Sequence, residues 1–284
     1  IGDYGGITLE QYFNENMKDL KDIGKIEKVF LNIMEKMKYI FLGLYELNNY
    51  GISHLDLKPN NIVLHKGYFK FIDFGLSAKF GNIKHFQTRS YNESKTNRIY
   101  LWYPGEFLLS QCSEKELKGM KNVLETKEFE DFKNHANTYK SIQHFFNRNP
   151  KRSFISIINN YLDPNWNSKF NDIIKKVDVY SFGMLFPVLF YNNNLLEYIN
   201  QSEVITRFFS LFNLMLSSYW YARADIEDAY LLFNALLTKY KNYKCVSKNP
   251  LKKSLKCRDK KIIKIKSSKQ QKSSKKQKSS KKKK

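Results

Sequence analysis

Residues 52–76, ISHLDLKPNNIVLHKGYFKFIDFGL, decide the fold of this chain. Ile62-Val63-Leu64 and Tyr68-Phe69-Lys70-Phe71-Ile72 are short β-branched and aromatic runs, separated by His65-Lys66-Gly67. The pattern predicts a β-hairpin with that tripeptide as its turn. Asp56 and Asn61 lie just before the first strand, and Asp73 lies just after the second, 17 positions beyond Asp56. Antiparallel strands set those two ends side by side, so Asp56, Asn61 and Asp73 are expected to converge. Asp73 and Asn61 offer hard oxygen ligands of the kind magnesium takes alongside phosphate oxygens. Asp56 is then left to accept a proton from a hydroxyl. Lys58, two residues on, is placed to balance charge on a moving phosphoryl group. The residue types are those that phosphoryl transfer needs.

At these residues the chain resembles the eukaryotic-type protein kinases. His54-Leu55-Asp56-Leu57-Lys58-Pro59-Asn60-Asn61 is similar to the catalytic loop H-R-D-L-x-x-x-N, and Asp73-Phe74-Gly75 matches D-F-G. Either motif alone could arise by chance; the pair in order and at this spacing is specific. The resemblance implies Asp56 as catalytic base with Lys58 beside it. It implies Asn61 and Asp73 as Mg2+ ligands, Val63 as the floor under the adenine of ATP, and Phe74 as a packing switch next to Gly75. His54 belongs to the supporting structure. Lys58-Pro59 looks like the serine/threonine branch, so the implied substrate is a protein hydroxyl. One departure is Leu55, where the family has an arginine that grips an activation-loop phosphate. Leucine has no donors, so Leu55 is expected to pack, and activation-loop phosphorylation is a less natural switch here.

Further matches extend the resemblance. Asp178-Val179-Tyr180-Ser181-Phe182-Gly183 resembles the D-V-W-S-F-G helix at the centre of the kinase C-lobe, with Asp178 holding the catalytic-loop backbone. Pro187 is expected to kink or adjust that helix. Tyr103-Pro104-Gly105-Glu106 looks like a variant of A-P-E, which implies an ion pair from Glu106 to Arg223; the bland alternative for Arg223 is a surface charge on a helix. Thr88, Ser90, Tyr91, Ser94 and Thr96 are hydroxyls between these motifs, and none is singled out. Asp3-Tyr4-Gly5-Gly6 resembles the hinge, so backbone near Asp3 and Gly5 is expected at the adenine. Two helices, over 11–16 and 27–48, should follow. The Gly-rich loop, strand lysine and αC glutamate of the family are not found after Ile1, so the expectation is an α+β chain: a mainly helical kinase-like C-lobe with a short β-hairpin at the site, its N-lobe lying outside this sequence. Such a piece is expected to transfer phosphate poorly by itself.

Composition bounds the rest. Of the formal charge of +22, residues 247–284 carry +17 (17 Lys and one Arg against one Asp), leaving +5 for residues 1–246. The end repeats as SSKQQK, SSKKQK and SSKKKK over 267–284. A stretch this polar is expected to be a disordered basic tail, open to nucleic acid or another polyanion through salt-sensitive contacts, or acting only as a solubilising tail. Residues 1–246 are the expected C-lobe, with an insertion over roughly 110–172, because Asp178 follows Glu106 by 72 positions. Ser113-Glu114-Lys115-Glu116 has capping-box form. The insertion is read either as shaping substrate or partner choice or as a solvent-facing helical elaboration. No run of 18 uncharged apolar residues suggests a membrane span. Cys112, Cys245 and Cys257 lack disulfide or metal spacing and fit a reducing compartment, so the expected location is intracellular, cytoplasmic or nuclear. The texture faintly resembles kinases of large DNA viruses. The second reading is an inactive or truncated kinase-fold scaffold with a polybasic nucleic-acid-binding tail. A small-molecule kinase-like enzyme fits less well, because Lys58 and the helix at Asp178 occur together.

Overall fold

Val177–Asn192 is a helix with no polar face. Every residue from Val177 to Phe190 is buried. A helix that is apolar all round must lie inside a protein. A computed structural model describes residues 6–95, 102–109, 112–125, 155, 158–159, 170–217 and 219–240. All of these fall in one unit, Ile1–Tyr243. The helices are α1 (Leu9–Met17), α2 (Ile23–Lys36), α3 (Lys38–Asn49), α4 (Ile83–Lys95), α5 (Gly105–Leu109), α6 (Glu114–Glu125), α7 (Phe170–Ile174), α8 (Val177–Asn192), α9 (Glu203–Met215) and α10 (Ile226–Tyr240). Short strands β1 (Ile52–Ser53), β2 (Ile62–His65), β3 (Tyr68–Phe71) and β4 (Ala78–Lys79) form two antiparallel pairs, β1 with β4 and β2 with β3.

Aromatic rings from four helices, α1, α2, α3 and α9, close on α8, and α10 joins through Phe41. Phe13 of α1 lies 5.6 Å from Phe190, and Phe30 of α2 meets Phe186 and Phe190 edge-on at 5.9 and 5.6 Å. Phe41 of α3 touches Phe182 at 4.4 Å and stacks on Phe233 of α10 at 4.0 Å. Phe212 of α9 stacks on Phe186 at 5.2 Å. Tilted and edge-on rings add to the transfer free energy of burying them. Pro187 lies inside α8, which continues to Asn192.

Local signals place the helix starts. Thr8 and Gln11 form a reciprocal capping box at α1, with hydrogen bonds of 3.2 and 2.9 Å. Asp22 caps α2 through Lys25 N–H at 2.8 Å, and Ser202 caps α9. The expected capping box at Ser113 and Glu116 opens α6. The helix expected over 27–48 is two helices, and the first begins earlier, after the Asp22 cap. The break is Met37, which stays hydrogen-bonded on both sides (Met37 N–H to Ile33 O, Ile40 and Phe41 N–H to Met37 O) and is fully buried. No Gly or Pro marks the bend. It comes from tertiary packing: α2 serves α1 and α9, whereas α3 turns toward β1 and β3.

The predicted hairpin is present with a tighter turn. His65 pairs with Tyr68 as the last rung, so the turn is Lys66-Gly67 alone. Both have positive φ, 50° and 86°, as a two-residue type I′ turn requires. Residues 6–8 run along the other edge of β2: Leu64 N–H donates to Ile7 O at 2.9 Å, and Thr8 bridges Val63. Gly6 is needed there, because a Cβ would sit 2.2 Å from Leu64 O. Of the segments read as insertion, α6 and α7 are described; 126–154 and 160–169, like the tail from 247, lie outside the described residues. No helix among the described residues is long and apolar enough to cross a membrane.

Gly183 tests the packing of α8 on α9. A Cβ there would lie 2.9 Å from Met215 Cβ and 3.1 Å from Leu216 Cγ. Gly183→Ala should gain up to ~1 kcal/mol in helix propensity and lose about 1–3 kcal/mol to overpacking. The expected net result is a lower denaturant midpoint; a more stable variant would refute this close approach.

Candidate active site

Asp178 sits in the first turn of α8 with its carboxylate buried. Oδ2 accepts from His54 N–H at 2.5 Å and Ser53 Oγ at 2.9 Å, and Oδ1 accepts from Leu55 N–H at 3.0 Å. Burial pushes its pKa above the ordinary carboxylate value, while these donors pull the other way. The loop after β1 is thereby fastened to the core helix. Leu55 takes a left-handed conformation, φ 61°, which costs a non-glycine residue about 1–2 kcal/mol. Its side chain is fully buried in a second apolar cluster with Ala78, Phe86, Tyr103, Phe107 and residues of α7. Leu55 packs as its apolar character predicts.

His54 is buried and orients the next residue. Its Nδ1 accepts from Asp56 N–H at 3.3 Å, and its Nε2 lies 3.1 Å from Ile72 O. The Asp56 carboxylate meets Lys58 Nζ at 2.9 and 3.1 Å. Asn61 Nδ2 donates to Asp56 Oδ2 at 2.7 Å and to Asp56 O at 2.9 Å. The 3-10 turn Pro59–Asn61 brings Asn61 back onto Asp56. Asn61 O then accepts from Ile72 N–H at 3.0 Å, which closes the open end of the hairpin one residue before Asp73. Asp56, Lys58 and Asn61 therefore touch directly, whereas Asp73 is the residue after Ile72, whose N–H bonds to Asn61 O.

Asp73 is exposed, has φ 61°, and its Oδ1 accepts from Gly75 N–H at 3.3 Å. The Phe74 ring lies 4.7 Å from His54 and is 49% exposed. Val63 is buried on β2 against residues 6–8. Asp3 and Gly5 lie outside the described residues. Among the described residues no three His, Cys, Asp or Glu side chains gather as a metal cage. The donor set at this site suits magnesium, which keeps water and takes phosphate oxygens. Asn61 commits its side-chain N–H groups to Asp56 and its backbone O to Ile72 N–H.

Glu106 and Arg223 form a buried ion pair, both side chains essentially inaccessible. Arg223 also donates to Ser217 O at 2.8 and 3.1 Å and lies over the Tyr180 ring. Burial pushes the Glu106 pKa up against the pull of Arg223. Two contacts here had no signal in the sequence. Lys176 Nζ bridges Arg223 O and Asp225 Oδ1, each at 2.8 Å. The Tyr103 hydroxyl donates to Leu55 O.

Residues 7–106 match the family model described as protein kinase domain. The chain is 40% identical over 85 residues to the CTD kinase subunit alpha of Schizosaccharomyces pombe, covering 29% of this chain and 13% of that protein. It is 36% identical over 103 residues to the probable serine/threonine-protein kinase FPV226 of fowlpox virus, covering 35% and 34%. To cyclin-dependent kinase 7 of Caenorhabditis elegans it is 35% identical over 106 residues, covering 36% and 30%. The chain thus spans between 13% and 34% of the length of these relatives. No solved structure gives a significant match. Residues 7–106, the stretch that holds both loops of the site, are thus similar to the protein kinase domain and to named serine/threonine kinases.

Proposed function

We propose that this protein transfers the γ-phosphate of ATP to serine or threonine hydroxyls of a protein substrate. The observation that carries the reading is the Asp56 carboxylate, buried and held by Lys58 and Asn61 on a loop that Asp178 fastens from below. In the proposed step the substrate hydroxyl gives its proton to Asp56. Its oxygen bonds to the γ-phosphorus as the bond to the β-phosphate oxygen breaks, and ADP leaves. Lys58 Nζ, already at the carboxylate, offsets charge on the transferred group. Asn61 and Asp73 would hold Mg2+, whose chemistry is to neutralise and align the phosphate oxygens. Val63 would lie under the adenine, with backbone near Asp3 and Gly5 beside it. His54, Phe74 and Gly75 support the loops, and Glu106, Asp178 and Arg223 support the fold beneath them. Most of the rate enhancement in such a site comes from positioning.

We further propose that residues 247–284 bind polyanions, nucleic acid among them, because their charge of +17 is concentrated in lysine-rich repeats. An intracellular location, cytoplasmic or nuclear, accords with ATP as co-substrate.

Expressed from its own gene, the protein should phosphorylate a serine-rich test protein in a Mg2+-dependent reaction, with Asp56→Asn lowering kcat by about 10²–10⁴. Asp73→Ala should abolish transfer and leave the unfolding midpoint nearly unchanged. Full turnover in Asp73→Ala would remove the metal assignment. Asp178→Ala should act on stability instead, lowering it by about 2–4 kcal/mol, because buried donors lose their acceptor. For the tail, affinity for duplex DNA should fall steeply with salt, and deletion of residues 247–284 should remove that slope. An unchanged salt dependence after deletion would place the binding elsewhere.

A further inference from the structure

The backbone around Leu55 is held on both sides of a strained residue. On the N-terminal side, Leu55 N–H donates to Asp178 Oδ1 at 3.0 Å, and His54 O accepts from Ser77 Oγ at 3.2 Å. On the C-terminal side, Asp56 N–H donates to His54 Nδ1 at 3.3 Å, and Leu55 O accepts from the Tyr103 hydroxyl. The left-handed φ of 61° lies between these two peptide planes. A small rotation about Leu55 ψ would swing the Leu55–Asp56 peptide and carry the Asp56 side chain with it. Of the groups that hold this second plane, His54 belongs to the same loop. Tyr103 comes from 48 positions away, two residues before α5. It is buried, and its hydroxyl accepts in turn from Arg89 Nε of α4 at 3.0 Å.

We propose that Tyr103 is a positioning residue for the phosphoryl transfer, fixing the Leu55–Asp56 peptide and so the direction of the Asp56 carboxylate. This rests on the kinase reading above. The tie runs from α4 through Arg89 and Tyr103 to the catalytic loop without a phosphate. Leu55 supplies the apolar contact in the same place, packed with Phe86 and Phe107. The segment between Gly75 and Glu106 is thereby coupled to the proton acceptor by a hydroxyl and an apolar cluster. The Tyr103 ring contributes to that cluster, stacking edge-on with Phe107 at 5.0 Å. Ring and hydroxyl are separable, because phenylalanine keeps the ring.

The test is Tyr103→Phe in the whole protein, read two ways. Hydrogen exchange followed by mass spectrometry should show faster exchange in peptides covering residues 54–58, with peptides from α9 unchanged. Steady-state kinetics should show kcat lower by about tenfold, the size of one buried hydrogen bond, with the KM for ATP unchanged. Phe86→Leu is the packing control: it should lower the unfolding midpoint without slowing the folded enzyme to the same degree. Unchanged exchange over 54–58 in Tyr103→Phe overturns the inference, whatever the activity. An unchanged kcat beside an Asp56-dependent wild-type reaction overturns it while leaving the kinase reading intact. A wild-type protein with no Asp56-dependent transfer overturns the kinase reading itself and the inference that rests on it.

Discussion

The site depends on one buried carboxylate. Asp178 stands at the start of α8, the most apolar helix among the described residues, and accepts from Ser53, His54 and Leu55. Taking a carboxylate out of water is expensive unless donors replace the solvent, and here those donors are the loop itself. The same contacts that make Asp178 tolerable in the core leave the loop few other conformations. Leu55 shows the consequence, since its left-handed backbone persists only because both flanking peptides are held. Asp56 inherits its position from a loop that this helix fastens through Asp178.

The second buried charge pair works differently. Glu106 and Arg223 pair with each other, and burial pushes the Glu106 pKa up even with Arg223 in contact. Such pairs fix geometry more than they add stability. Arg223 spreads its other donors over Ser217 O and Lys176 O, so the pair ties α5 to the turns before α8 and α10. With Tyr103 three residues ahead of Glu106, the end of this segment is anchored by an ion pair to Arg223 and by a hydroxyl to Leu55 O.

The hairpin and the convergence of Asp56 with Asn61 were legible because strand alternation and turn chemistry are local. The turn was read one residue too long because His65 suits a turn or a strand, and the pairing with Tyr68 decided it. The helix break at Met37 was not legible: no Gly or Pro marks it, and the cause is packing onto distant elements. Asp178 and the Glu106–Arg223 pair were reached through resemblance, since nothing in their spacing forces the contacts. Tyr103 was quoted only as part of a motif. A tyrosine hydroxyl that meets a backbone carbonyl 48 positions away leaves no pattern in the chain.

The two halves of the proposed site are held with unequal firmness. Asp56 and Asn61 are buried, bonded to each other, and backed by Asp178 through the loop. Asp73 and Phe74 are exposed; the Asp73 carboxylate meets Gly75 N–H at 3.3 Å, and the Phe74 ring rests beside His54. A proton acceptor gains from being fixed before substrate arrives, because its geometry must match a hydroxyl that brings no charge of its own. A magnesium ligand gains less, because the cation and the phosphate oxygens complete their own coordination on binding. On the proposed chemistry, rigidity is therefore concentrated where the protein alone must supply the geometry.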